Sequence, residues 1–324
     1  MTVVGKIEKE TLLERWLERR SYGHEQFADL DSLAKRKREC AVAVTAVLPA
    51  REVASTVGAI VDTIGALNER APLVDQVLVV DAGSADGTAE VARRHGAEVY
   101  HEDELMPAFG PVIGKGDAIW RALSVARGEL ILYLDADTPD FAQQFVYGML
   151  APLLTVPELR FVKGCYSRPL TNGHRLVLDE GARVTELTAK PLLNLFYPEL
   201  GGFAQPLAGE IAATRELLAS IPYLTGYAVE TGMLIDVLET VGIEAMAQVD
   251  LGNRTNRSQS LHELGKMSYA VLLAVASRLR REGRLLEAGV EPDSYVRAIR
   301  LATGLSLERA SVEVAERPPI ARAL

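Results

Sequence analysis

The chain has 324 residues and a formal net charge of −9, with 48% hydrophobic and 24% charged residues. That is enough for one large domain with appendages, or two small ones, around a sizeable core. The acidic balance argues against a nucleic-acid binder, whose footprint is basic, and no apolar run reaches the roughly 20 residues that span a bilayer.

Residues 1–16, MTVVGKIEKETLLERW, lack the apolar centre of a signal peptide. Residues 6–20 have a helical period that puts Leu12, Leu13, Trp16 and Leu17 on one side. A second helical piece carries Asp29 and Asp31, read as solvated surface. It ends in Lys35-Arg36-Lys37-Arg38, read as a solvated face. Together these form an N-terminal helical extension, residues 1–40.

The core opens with a buried strand at 41–48 closed by Pro49. A helix at 54–69, a strand at 75–80, a helix at about 88–95, a short strand at 98–100 and a helix at 115–127 follow. The next strand runs up to Leu134. This alternation implies an α/β fold with a mostly parallel sheet. Past residue 140 the pattern is mixed. A helix at 140–153 leads to a strand at 159–166, a polar loop, and a helix from about 183 that Pro191 should kink. Residues 201–210 read as a loop entering a strand. A helix at 228–240, a strand at 243–250, a polar loop and an amphipathic helix at 261–282 come next. That last helix either packs on the core or forms a homodimer seam. The final dozen residues, with Pro318-Pro319, read as a tail. Cys40 and Cys165 lack metal-ligand spacing and read as small buried apolar residues. Such sparing thiol use fits a reducing cytoplasm, where the protein is expected. Asn and Gln are scarce while Arg, Glu and Leu abound, as in a thermophile or a GC-rich genome.

Chemistry concentrates at the strand ends. The apolar run at 130–134 stops at Asp135 and Asp137, with Pro139 beyond. Open α/β sheets bind ligands at such ends. Two hard oxygen donors there suit Mg²⁺ or Mn²⁺, which can hold a diphosphate; a structural turn is the alternative. Strand context separates this pair from Asp29 and Asp31. The loop Asp81-Ala82-Gly83-Ser84-Ala85-Asp86-Gly87-Thr88 is not a dinucleotide fingerprint. Its acids can accept hydrogen bonds from a base or ribose, and a plain turn with a helix cap reads the same way. Gly114-Lys115-Gly116-Asp117 stands before a helix, where a lysine can reach over a ligand and offset phosphate charge. The convergence of these loops on one mouth is the signal.

Pro49-Ala50, the 81–88 loop, G-K-G-x-A-x-W-R-x-L at 114–123 and Leu134-Asp135-Ala136-Asp137 form an ordered series. It continues through 161–164, 168–170, 183–187, 206–210 and 249–252. Over roughly residues 41–270 the series resembles the actinobacterial glucosyl- and mannosyl-3-phosphoglycerate synthases. The resemblance implies a GT-A fold: a Rossmann-like, mostly parallel central sheet with flanking helices, plus the N-terminal extension and C-terminal helices. Residues 41–253 would be the catalytic core, with a nucleotide-sugar half at 41–140 and an acceptor half at 141–253. Residues 254–324 would supply an active-site loop and a C-terminal helical segment.

The implied activity is metal-dependent, retaining hexosyl transfer from a nucleotide-sugar to D-3-phosphoglycerate, with Mg²⁺, Mn²⁺ or Co²⁺. By position, Pro49, Ala50, Glu52, Ala82 and Lys115 would line the nucleotide site. Asp135 would contact the donor and Asp137 the metal. Arg183, Val184 and Thr185 would grip the acceptor, and Leu207, Glu230 and Arg254 would surround the sugar. An acceptor with two anionic groups needs cations, and Lys163, Arg168, Arg175, Arg183, Arg254 and Arg257 are the supply after Asp137. Relatives carry a histidine metal ligand where this chain has Asn256, whose carbonyl oxygen suits Mg²⁺; His262 is the other candidate. Retention would proceed by front-face attack, or by a carboxylate nucleophile, for which Glu230 is the candidate. Ala82 and the 49–52 loop depart from the glucosyl pattern. The expected donor therefore leans to GDP-mannose, for synthesis of the compatible solute mannosylglycerate, ahead of UDP-glucose or dual use. Two readings of other kinds stand beside this one: a sugar nucleotidyltransferase, and a non-catalytic nucleotide-sugar-binding module.

Overall fold

The computed structural model describes residues 3–167, 170–172, 175–177, 182–254, 259–285, 294–301, 304–311 and 313–324. Eight strands form one sheet, in the order Ser21–Gly23, Met246–Asn253, Phe161–Ser167, Ile211–Thr214, Leu130–Tyr133, Val44–Ala50, Gln76–Asp81, Glu98–His101. Neighbours are parallel except around Ile211–Thr214, which runs against both of its partners. The central strands are near-continuous apolar runs because both faces of the sheet are covered. Alternation divides their side chains between two cores. Ala46, Leu48 and Leu132 enter one, against the helices Ala54–Arg70 and Gln144–Thr155. Val47, Ile131 and Tyr133 enter the other, against Gly114–Ala122 and Val229–Val241.

The expected parallel half is present, with most boundaries shifted by one to three residues. The helix at 114–122 ends well before residue 127 because the chain must turn into the next strand. There the Arg127 N–H donates to Gln76 Oε1 at 3.0 Å and the Gly128 N–H to Thr45 Oγ1 at 2.9 Å. A Cβ on Gly128 would stand 2.5 Å from the Thr45 nitrogen, so only glycine fits. Residues 183–196 form one continuous helical segment, and the stretch just before Pro191, Thr185–Ala189, is a π-helical turn, the local break in the regular ladder expected from a proline that cannot donate to it.

The N-terminal extension is tied into the sheet. Trp16 is buried, and its Nε1 donates to the Ile243 and Met246 carbonyls at 2.9 and 3.0 Å. Leu12 and Leu17 are exposed, so the expected four-residue face narrows to Leu13 and Trp16, one helical turn apart. Ser21–Gly23 then adds the edge strand. Within the basic run, Lys37 is buried, with Nζ 2.6 Å from Asp75 Oδ2. Cys165 is buried as expected, whereas Cys40 is exposed at the end of the helix Leu30–Cys40.

The helix Leu261–Arg281 packs on the core, burying Ala270, Val271, Ala274, Val275 and Leu279. Its Arg278 pairs with buried Asp236 at 2.6 Å. The tail is docked rather than loose. Glu316–Arg317 pairs antiparallel with Tyr223–Leu224, Trp120 Nε1 donates to the Pro318 carbonyl at 2.9 Å, and Ile320 is buried. Ser294–Leu301 and Gly304–Ser311 form a separate antiparallel hairpin that periodicity did not foretell. Among the described residues no helix is long and apolar enough to cross a membrane.

Candidate active site

Parallel strands deliver their C-terminal ends to one edge of the sheet, and the reversed strand Ile211–Thr214 begins at that same edge. Ala50, Asp81, Asp135 and Glu210 therefore come to one mouth. The mouth is a cleft of about 760 Å³. Of the sequence-derived candidates, Pro49, Ala50, Ala82, Lys115, Asp135, Asp137, Arg183, Val184, Thr185, Leu207, Glu230 and Arg254 line it.

At its centre lies a network of alternating charge. Lys115 Nζ is 2.6 Å from Asp135 Oδ1 and 3.0 Å from Glu230 Oε1. Arg254 Nη1 is 2.9 Å from Asp135 Oδ2, 2.7 Å from Glu210 Oε1 and 2.8 Å from the Tyr166 hydroxyl. Its Nη2 is 3.2 Å from Asp137 Oδ1. Burial works to raise the Asp135 carboxyl, but Lys115 and Arg254 outweigh it and hold Asp135 well below the usual carboxylate range. Burial likewise opposes the Lys115 charge; Asp135 and then Glu230 overcome it and keep the ammonium above its ordinary value. Glu210, almost fully buried, is raised by burial, with Arg254 opposing. Gly209 lets the loop press against this cluster: a Cβ there would stand 2.2 Å from Asp135 Oδ1 and 2.5 Å from Lys115 Nζ.

Three candidates lie elsewhere. Lys163 is 1% exposed, and its Nζ donates to the Ala208 carbonyl at 2.6 Å. It is out of an acceptor's reach and instead braces the loop that carries Leu207; burial pushes its ammonium down to about 8. Glu52 does not line the cleft. Its Oε1 accepts from the Ala85 N–H at 2.8 Å and its own N–H donates to Ser84 Oγ at 2.9 Å, so it staples two strand-end loops together. It holds a left-handed backbone, φ 52°, to do so. His262 lies in the first turn of the helix Leu261–Arg281, outside the cleft lining. Among the described residues no group of three His, Cys, Asp or Glu side chains gathers as a metal cage. Arg168, Asn256 and Arg257 lie outside the described residues.

Arg183 lines the cleft, with Nη2 donating to the Gln259 carbonyl at 3.0 Å. Beside it an apolar wall of Leu264, Met267 and Val271 comes from the helix Leu261–Arg281. Sequence reasoning missed Glu210, Tyr166 and that wall. Glu210 carried a usable signal, a lone acid leading directly into an apolar strand.

The chain is similar in sequence and fold to several known proteins. A family model described as glycosyl transferase family 2 matches residues 45–155. The chain is 36% identical to glucosyl-3-phosphoglycerate synthase of Petrotoga mobilis over 303 residues, 93% of either chain. Among solved structures, mannosyl-3-phosphoglycerate synthase from Rubrobacter xylanophilus is 59% identical with a TM-score of 0.89, covering 96% of this chain and 98% of that one. Glucosyl-3-phosphoglycerate synthase from Mycobacterium tuberculosis, in complex with Mn²⁺, UDP and phosphoglyceric acid, is 35% identical with a TM-score of 0.78, covering 91% and 95%.

Proposed function

The chain belongs to the glucosyl- and mannosyl-3-phosphoglycerate synthases, hexosyltransferases of GT-A fold, and from that premise we propose that it transfers mannose from GDP-mannose to D-3-phosphoglycerate with retention at the anomeric carbon. One observation carries the choice of sugar: the much higher identity with the Rubrobacter mannosyl enzyme than with the glucosyl enzymes. The curated relatives are glucosyl enzymes, which makes UDP-glucose the second reading. Initial rates with GDP-mannose, GDP-glucose and UDP-glucose, each with 3-phosphoglycerate and Mg²⁺, test it. A kcat/KM higher for UDP-glucose than for GDP-mannose overturns the mannosyl reading.

The residues present fit a divalent cation. Asp137 keeps its side chain 57% exposed to the cleft and offers hard oxygen donors next to Asp135. Asp137 would hold the ion, with Mg²⁺ or Mn²⁺ suited to oxygen ligands. Bound there, the cation would supply positive charge to the departing diphosphate. Lys115 would add to that charge, its ammonium held charged by Asp135 and Glu230. Arg183, on the other wall, would bind an acceptor anion through its guanidinium fork. Glu230 is engaged by Lys115 at 3.0 Å, which supports a role in orienting that lysine and favours front-face attack over a carboxylate nucleophile. A homodimer belongs to the same proposal, since Leu261 and Leu272 are exposed on the long helix; light scattering that returned a monomer mass would remove it.

A further inference from the structure

Glu102 stands at the end of the cleft remote from Asp135. It follows Glu98–His101, the outermost strand on that side, whereas Asp135 follows Leu130–Tyr133, three positions inward. At the usual interstrand spacing this separates them by roughly 14 Å along the sheet edge. Between them the cleft is lined by Pro49, Ala50, Val80 and Ala82, small or apolar residues on which a ribose and a flat base can lie. Two other acids at this end, Asp81 and Asp86, are committed to the protein. Asp81 is fully buried and accepts from the Ser84 N–H at 3.0 Å and the Ser84 hydroxyl at 2.6 Å. Asp86 accepts from the Ala54 and Thr88 N–H groups, each at 3.0 Å. Glu102 is half-buried, and among the described residues no hydrogen bond or ion pair engages its carboxylate.

We propose that Glu102 reads the nucleobase of the donor and selects guanine over uracil. The inference rests on the GDP-mannose reading. Guanine presents N1–H and its N2 amino group side by side, so one carboxylate accepts both. Uracil offers a single N3–H between two carbonyl oxygens, each of which repels a carboxylate. A site built for two donors rejects an analogue that supplies one.

The charged surroundings are consistent with this role. Burial, then the carboxylate of Asp117, pushes Glu102 up to about 7; Arg51 and Arg121 oppose that, and Asp81 adds to it. His101 precedes it in the chain, and Arg317 pairs with Asp117 at 2.6 Å. Two donors from guanine favour the ionised carboxylate, so GDP binding releases a proton near neutrality and tightens as pH rises through that range. The ratio of GDP to UDP affinity isolates this effect, because both nucleotides carry the same phosphates.

The test is calorimetric titration of GDP and of UDP, each with MgCl₂, into the wild type and Glu102→Gln at about pH 6 and about pH 8, on either side of the Glu102 titration. The wild type should prefer GDP, with a ratio that rises with pH. Glu102→Gln should lose about 10- to 100-fold in GDP affinity, as for loss of one bidentate base contact, while UDP affinity is kept or rises because the carboxylate that repels uracil's carbonyl oxygens is gone. Its GDP-to-UDP ratio should not change with pH. Retained UDP binding doubles as the check that the variant is folded. A GDP preference that survives in Glu102→Gln overturns the assignment of Glu102 and leaves the donor reading standing; equal loss of both nucleotides also overturns it. A wild type that prefers UDP overturns both.

Discussion

Gly209→Ala isolates the positioning of Lys115 and Asp135. The new Cβ would lie 2.2 Å from Asp135 Oδ1, 2.5 Å from Lys115 Nζ and 2.6 Å from Asp135 Cγ. Comfortable non-bonded separation is about 3.5 Å, so the overlap exceeds roughly 1 Å on two polar atoms at once. Either the 2.6 Å Lys115–Asp135 pair separates, or the backbone at 207–210 retreats and takes Leu207 and Glu210 with it. Gly209 is not among the glycines with positive φ, so the effect is steric and not torsional. Overpacking of this kind costs about 1–3 kcal/mol of stability. A displacement of about 1 Å at a reacting centre costs on the order of 100-fold in rate. The assay is initial rate with GDP-mannose and 3-phosphoglycerate, paired with a urea midpoint to separate folding from catalysis. A kcat within about threefold of wild type would refute the reasoning, because a contact that tolerates a methyl group is not holding the reacting atoms to the precision that such a rate loss requires.

Three further outcomes follow from the same geometry. Asp137→Ala should abolish turnover while changing stability by no more than about 1 kcal/mol, since its ion pair to Arg254 is half in solvent; near-normal rates would contradict the metal assignment. Arg183→Ala should raise the apparent KM for 3-phosphoglycerate far more than that for the donor, and equal rises would remove its acceptor role. Lys163 has a folded pKa of about 8, depressed from 10.5. Its contribution to stability is therefore fully present above the unfolded pKa and is lost as pH falls through about 8. Relative to Lys163→Met, the wild type should gain on the order of 3 kcal/mol in denaturation free energy between about pH 7.5 and pH 10.5. A flat difference would show that the ammonium is not desolvated.

The parallel half of the fold was readable because each element carries its own punctuation. Val44–Ala50, Gln76–Asp81 and Leu130–Tyr133 are short apolar runs that stop at Pro, Gly or Asp, and those stops open the loops that line the cleft. Direction within the sheet is not local. Nothing in Ile211–Thr214 says that it runs backwards; its neighbours, Leu130–Tyr133 and Phe161–Ser167, decide that. Partner choice is not local either. Arg254 meets Glu210, Tyr166, Asp135 and Asp137 across 44 to 119 positions of chain, so sequence could offer it as a cation but not as the hub of a network. Lys163 misled because it was counted among the cations available to an acceptor on its charge alone. Its position inside Phe161-Val162-Lys163-Gly164-Cys165 was the sign of burial. Glu102 was passed over because Glu102-Asp103-Glu104 looks like an ordinary wet turn until the sheet places its first residue at the cleft.

The edge strand Ser21–Gly23 takes its register from Gln248–Asp250, and Trp16 docks on Ile243 and Met246. During synthesis Trp16 leaves the ribosome 230 positions ahead of Met246, part of the surface that receives it. At typical translation speeds the wait is roughly 10–50 s. Through that interval the Trp16 indole has no shelter, and a chaperone has an obvious place to hold. Closure of so long a loop is also the kind of event that sets a slow refolding phase. The clasp on this edge of the sheet is made long before the strand that it closes on.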